Sequence, residues 1–119
     1  MPRPVFDRPV FAHARKTCLA LPETSETTSW GHPNFRAGKR TFCTFEIIGG
    51  RPSIAFKLPA DDPALRRRRD TFATPYGRGA WTSVWVDGVV DRAAIATLAE
   101  CSYRGVATRR MVRALDGAG

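Results

Sequence analysis

Cysteine is scarce and poorly spaced for cross-linking. Cys18, Cys43 and Cys101 are odd in number and far apart, and no CxxC or Cys/His ligand spacing occurs. That usage predicts reduced thiols buried as small hydrophobes, with no intramolecular disulfide and no structural zinc. Long apolar runs are absent, so no segment reads as a membrane span. Met1–Asp7 has no apolar stretch and carries an early acid, which predicts no secretory leader and a cytoplasmic location. The glycines form neither GxxxxGK[ST] nor GxGxxG, and Gly77-Arg78-Gly79 reads as a tight turn. Carboxylates do not pair for acid–base work: Asp61, Asp62 and Asp91 read as helix caps, and Glu23 and Glu26 lie in a polar loop. No cofactor and no metal are expected.

What remains is apolar residues and arginine. The chain has 119 residues, 43% of them hydrophobic, which suits one domain with a packed core. Lys+Arg total 19 against 11 Asp+Glu, for a formal net charge of +8. The lysines are only Lys16, Lys39 and Lys57, so arginine supplies most of the positive charge. Such a chain attracts polyanions at long range, although arginine is also an ordinary surface residue in proteins from GC-rich genomes.

Patterning predicts a helix over about Asp7–Leu21, with Asp7 as N-cap and Phe11, Ala14, Cys18 and Leu21 as core stripe. Glu23–Thr28 is a polar stretch. Ser29–Arg36 reads as a strand in which Pro33 marks an edge or a bulge. Arg40–Ile48 is the clearest strand, with Cys43, Phe45 and Ile47 alternating against Thr44 and Glu46. Gly49-Gly50 signals a hairpin into Ser53–Leu58. Asp61–Asp70 reads as a short helix anchored by Leu65. A strand over Trp81–Asp87 follows, then a helix capped by Asp91 with Ile95, Leu98, Ala99, Ser102 and Val106 inward. Met111, Val112 and Leu115 continue as a short turn or fray. Consecutive strands joined by tight turns imply an antiparallel sheet, and helices near both ends imply that one face is covered and the other partly exposed. The expected class is α+β.

Several side chains are candidates for function. His32 is the obvious catalytic candidate, but it needs a nucleophile such as Cys43 or Ser53 within reach and lacks an evident acidic partner. A structural or ligand-contacting histidine is the blander alternative. His13 lies on a helix flank. Arg66-Arg67-Arg68-Arg69 cannot form one flat patch on a helix, because successive residues turn by about 100°. Arg66 and Arg69 would still share a face. Arg104, Arg109, Arg110 and Arg113 occur with no acid between Glu100 and Asp116, and Arg109 and Arg113 align if that segment is helical. Trp81 and Trp85 share a strand face. Together with Trp30, His32, Arg36 and Lys57 they outline a candidate ligand face.

Trp30-Gly31-His32-Pro33-Asn34-Phe35-Arg36, Ile54-Ala55-Phe56-Lys57, Pro75-Tyr76-Gly77-Arg78-Gly79-Ala80-Trp81 and Ser102-Tyr103-Arg104-Gly105-Val106-Ala107 with Arg109-Arg110-Met111 follow one another in order. Together they resemble the MmcQ/YjbR family of small bacterial proteins over nearly the whole chain. Gly105 and Thr108 depart from it, standing where a larger apolar residue and a proline are expected. The resemblance implies a frataxin-like (CyaY-like) double-wing layout, an antiparallel sheet packed on two helices. Members are commonly labelled DNA-binding on the argument of fold, and fold alone is a poor guide to function. Frataxin's acidic iron-binding surface has no counterpart here, where Arg15 and Lys16 stand beside a single acid, Asp7.

These observations lead to a non-enzymatic basic module that binds DNA weakly and with low sequence specificity. Arg104, Arg109, Arg110 and Arg113 are the main contacts, with Lys39, Arg40, Arg66 and Arg69 contributing. The alternative is an adaptor for another protein or a small ligand, working through the open face of the sheet. A hydrolase or transferase built around His32 is the third reading.

Overall fold

A computed structural model describes residues 6, 8–58, 62, 63, 65, 68, 70–74 and 80–117. Proline at the first helical position, where the backbone N–H is unsatisfied in any case, opens α1 (Pro9–Leu19). Six strands follow: β1 (Thr24–Ser29), β2 (His32–Ala37), β3 (Arg40–Ile48), β4 (Arg51–Phe56), β5 (Thr71–Ala73) and β6 (Thr82–Trp85). The chain then forms α2 (Arg92–Val106) and α3 (Arg109–Asp116). Asp91 caps α2 by accepting from the N–H groups of Ala93 and Ala94 at 3.0 and 3.2 Å, an arrangement worth about 1 kcal/mol. Thr108 caps α3 through the N–H of Met111.

All strand pairs are antiparallel and the order is β1-β2-β3-β4-β6-β5. Two hairpins close on two-residue loops with positive φ at both positions, Trp30-Gly31 and Gly49-Gly50. That geometry matches the right-handed twist of the flanking strands. Helices cover one face. Val10, Phe11, Ala14 and Cys18 from α1 and Ile95, Leu98, Ala99 and Tyr103 from α2 pack on Phe35, Cys43, Phe45, Ile54, Phe56 and Val84. Phe45 lies at the centre, its ring 4.7 Å from Phe11 and 4.9 Å from Phe35. The Tyr103 hydroxyl crosses the layer to donate to the Pro22 carbonyl at 2.8 Å. This is the α+β arrangement expected from the patterning, with helices from both ends of the chain on one face of an antiparallel sheet.

Several boundaries differ from expectation. The helix N-cap is Arg8, with no side-chain cap bond, and Asp7 lies outside the described residues. The polar stretch after Pro22 is an added edge strand, β1, whose side chains from Ser25 to Ser29 are exposed. Trp30 is not within a strand but at a hairpin tip. Pro33 is not on an edge, because β2 runs between β1 and β3. It is tolerated because pairing with β3 begins only at Asn34. The bulge lies further on: Phe35 faces Cys43 while Arg36 faces Thr41, which leaves Phe42 as an extra residue in β3. This slip turns Phe42 out of the Thr44–Glu46 row and onto Tyr103 of α2, with ring centroids 5.7 Å apart. β5 was not foreseen, and β6 is shorter than expected, leaving Trp81 just before it.

The expected helix over Asp61–Asp70 falls largely outside the described residues, as do Arg66, Arg67 and Arg69 and the loop Pro75–Gly79. The described part holds turns rather than helix, with the Leu65 N–H on the Asp62 carbonyl and the Arg68 N–H on the Leu65 carbonyl. Leu65 is buried, as expected of an anchor. Gly105 neither ends nor breaks α2, and the terminal residues form a true helix that buries Met111. Among the described residues no helix is long and apolar enough to cross a membrane.

Candidate functional site

The second face of the sheet is less open than its polar residues suggest. Alternation places Asn34, Thr44, Glu46, Ser53, Ala55, Ser83 and Trp85 there, in rows set by the pairs Asn34–Thr44, Thr44–Ala55, Ala55–Ser83, Glu46–Ser53 and Ser53–Trp85. Ser53, Ala55 and Ser83 are fully buried and Glu46 is 3% exposed. Phe72 of β5 stacks on Trp85 at 4.1 Å, and the Arg51 guanidinium lies 3.9 Å from the same indole while gripping Asp87. Trp85 is therefore a structural clamp on the sheet's outer face.

Beside that clamp is a concavity of about 270 Å³ lined by Ser29, Trp30, His32, Asn34, Thr41, Thr44, Glu46, Thr74 and Trp81. Its most unusual group is Glu46. Burial pushes this carboxyl up to about 7, because a charge out of water is disfavoured. Its Oε2 has no hydrogen-bond partner among the described residues, and neither has the hydroxyl of its cross-strand neighbour Ser53. Such orphaned groups are uncommon in native proteins and call for a reason.

The expected ligand face is thus divided. Trp30, His32 and Trp81 line the concavity, whereas Arg36, Lys57 and Trp85 do not. Arg36 is exposed on β2, and the Lys57 ammonium lies 5.9 Å from the Trp81 ring. His32 places Nδ1 3.1 Å from the Phe45 carbonyl, and its ring lies 5.8 Å from Phe6. It makes no hydrogen bond to Cys43 or Ser53 among the described residues. Cys43 points to the helix side instead, against Cys18. Burial raises its thiol well above the usual range, and the neighbouring Cys18 thiol adds to that. All three cysteines are free.

Sequence reasoning passed over Glu46. The period-2 pattern put it on the polar face, but nothing in that pattern says that the face is covered there.

The basic residues lie elsewhere, on α3 and on the β2–β3 turn beside it. Met111 of α3 approaches Gly38 of that turn, and the Gly38 N–H donates to the Glu23 carbonyl. Lys39, Arg40, Arg109, Arg110 and Arg113 are exposed there. Acids remote in sequence neutralise part of the cluster. Arg104 bonds both Glu100 and Asp116, and Arg110 makes a two-pronged pair with Glu23. These hydrogen bonds hold the Glu23 and Asp116 carboxyls below their ordinary range. Among the described residues no ion pair engages Lys39, Arg40, Arg109 or Arg113.

Six antiparallel strands backed by helices from both ends define a small α+β sheet domain. Residues 19–105 match the YjbR family model, and the chain belongs to that family. No curated protein matches it.

Proposed function

We propose that this YjbR-family chain is a non-enzymatic module that binds DNA weakly and with low sequence specificity, through the end built from α3 and the β2–β3 turn. The observation that carries the reading is that two remote segments bearing exposed cations, the β2–β3 turn with Lys39 and Arg40 and α3 with Arg109 and Arg113, lie next to one another through Gly38 and Met111, and none of the four has an ion-pair partner among the described residues. Arg109 and Arg113 stand one helical turn apart, where like charges disfavour the helix by a few tenths of a kcal/mol. A phosphate backbone would relieve that repulsion. Arg104 and Arg110, already paired with carboxylates, act as supports for this surface rather than as its principal contacts.

Phosphate contacts release counterions, so four of them give a slope of log K against log salt of roughly −3.6 on duplex DNA. Fluorescence anisotropy with unrelated duplexes at several salt concentrations tests the reading. The double variant R109A/R113A is expected to weaken every duplex alike and to flatten the slope by roughly 1.8. No binding by the unaltered protein at low salt, or an unchanged slope in the variant, overturns it.

A further inference from the structure

We propose that the concavity on the second sheet face is a binding site for a small, flat organic cation bearing N–H donors, of the amidine or guanidine type, with Glu46 as its counter-ion and Trp30 and Trp81 as ring contacts.

The first support is the buried carboxyl. Glu46 lines the cavity, is 3% exposed and leaves Oε2 without a partner among the described residues. An unpaired buried carboxyl destabilises the free protein. A ligand that donates hydrogen bonds and carries positive charge compensates that penalty, and a bidentate N–H pair suits a carboxylate best.

The second support is the direction of the other polar groups. Thr44 donates its hydroxyl hydrogen to the Pro33 carbonyl, and Asn34 donates an amide hydrogen to the His32 carbonyl. Thr74 and Ser83 share a hydrogen bond at 2.8 Å. The Thr44 hydroxyl hydrogen and one Asn34 amide hydrogen are thus engaged within the protein, while the buried Glu46 Oε2 keeps its lone pairs free among the described residues. An anionic ligand would meet the Glu46 carboxyl. A metal ion finds too few ligands, since no group of three or more His, Cys, Asp or Glu side chains gathers among the described residues.

The third support is Trp30. It holds φ +55° at the first position of its hairpin loop, a conformation that favours Asn, Asp or Gly, and the residue is 96% exposed. A large ring in a disfavoured backbone, contributing nothing to the core, is explained by a contact outside the chain. Aromatic faces attract cations, guanidinium-type groups above all. The volume of about 270 Å³ limits the ligand to a single small ring or a short chain.

Among the described residues of the lining, the only other titratable side chain is His32, which belongs to β2. No charged side chain shifts Glu46, and burial alone raises it to about 7. Cation binding favours the carboxylate, so below pH 7 one proton leaves Glu46 as the ligand enters.

Benzamidine is the probe, with neutral benzamide and anionic benzoate as shape-matched controls. Binding is followed by tryptophan fluorescence and calorimetry at 150 mM salt. Benzamidine is expected to bind at pH 8, benzamide at least tenfold more weakly and benzoate not at all. From pH 6.5 downward the affinity should fall by close to tenfold per pH unit. Glu46→Gln should lose at least tenfold, and Trp30→Ala, at an exposed loop tip, should weaken binding without affecting the fold. R109A/R113A should bind benzamidine unchanged, which separates this site from the DNA-binding surface. Equal binding of benzamidine and benzamide, no binding of benzamidine at millimolar concentration, or full affinity in Glu46→Gln overturns the proposal.

Discussion

The two faces of this sheet are built from alternate residues of the same strands, yet they solve opposite problems. Toward the helices, Phe35, Cys43, Phe45, Ile54, Phe56 and Val84 make an apolar layer whose rings meet Phe11 and one another at 4.7 to 4.9 Å, and the buried hydroxyls on that side, Thr82 and Ser102, donate to the Leu58 and Ala99 carbonyls. Away from the helices, Glu46, Ser53 and Ser83 are as thoroughly buried, but polar, and Glu46 and Ser53 each leave an oxygen unpartnered. The first face is optimised for stability. The second keeps desolvated polar groups beside a cavity, which costs stability.

The sharpest way to break this comparison is Phe45→Ala, on the dry side. Its ring touches Phe11, Phe35 and Phe6, and its loss leaves a cavity that the sheet cannot collapse. A destabilisation of about 3–5 kcal/mol is expected from urea unfolding. A loss below 1 kcal/mol would mean that this layer is not the core.

A smaller effect is expected on the polar side, where it depends on pH. The Glu46 carboxyl rises from an ordinary 4.5 to about 7 on folding. The folded state therefore holds a proton that the unfolded state has released, and stability falls as pH rises from 4.5 through 7. Between pH 5.5 and pH 8 this group should remove roughly 2 kcal/mol. Glu46→Gln cannot ionise, so its curve of unfolding free energy against pH should run flatter by that amount and lie above the parent at pH 8. Parallel curves for the two proteins would show that Glu46 ionises as freely in the fold as in water.

The smallest effect belongs to Ser53→Ala. It removes a buried hydroxyl that has no partner, so stability should stay within about 0.5 kcal/mol of the parent or rise, up to about 1 kcal/mol. A clear loss in thermal unfolding would reveal a hydrogen bond to ordered water on this face.

Much of the dry face was legible in the sequence. Phe11, Ala14 and Cys18 at helical spacing, and Ile95, Leu98, Ala99 and Ser102 after the Asp91 cap, are all buried where the pattern puts them. The edge strands were not legible. β1 is Thr, Ser and Glu throughout and lies at the margin of the sheet, so it has no apolar face to announce it. β5 is three residues long, too short for a period to show. Phe42 breaks the alternation because a bulge is a property of two paired strands. The candidate sites divide in the same way. Arg109 and Arg113 could be aligned from helical spacing alone. The pairing of Arg110 with Glu23 spans 87 residues, and no local reading foresees it.

The chain by itself determined the class of fold, the Asp91 cap, the Gly49-Gly50 turn, the apolar stripes and the excess of arginine. These depend on backbone preferences and on periods of 2 and 3.6 residues, which act between neighbours in sequence. Tertiary structure decided which arginines remain unpaired, that Cys18 meets Cys43, and that Glu46 loses water while gaining no partner. Each of these is a matter of what approaches from elsewhere in the chain. Desolvation and ion pairing act through space over a few ångströms, so they take effect only once remote segments have been packed together.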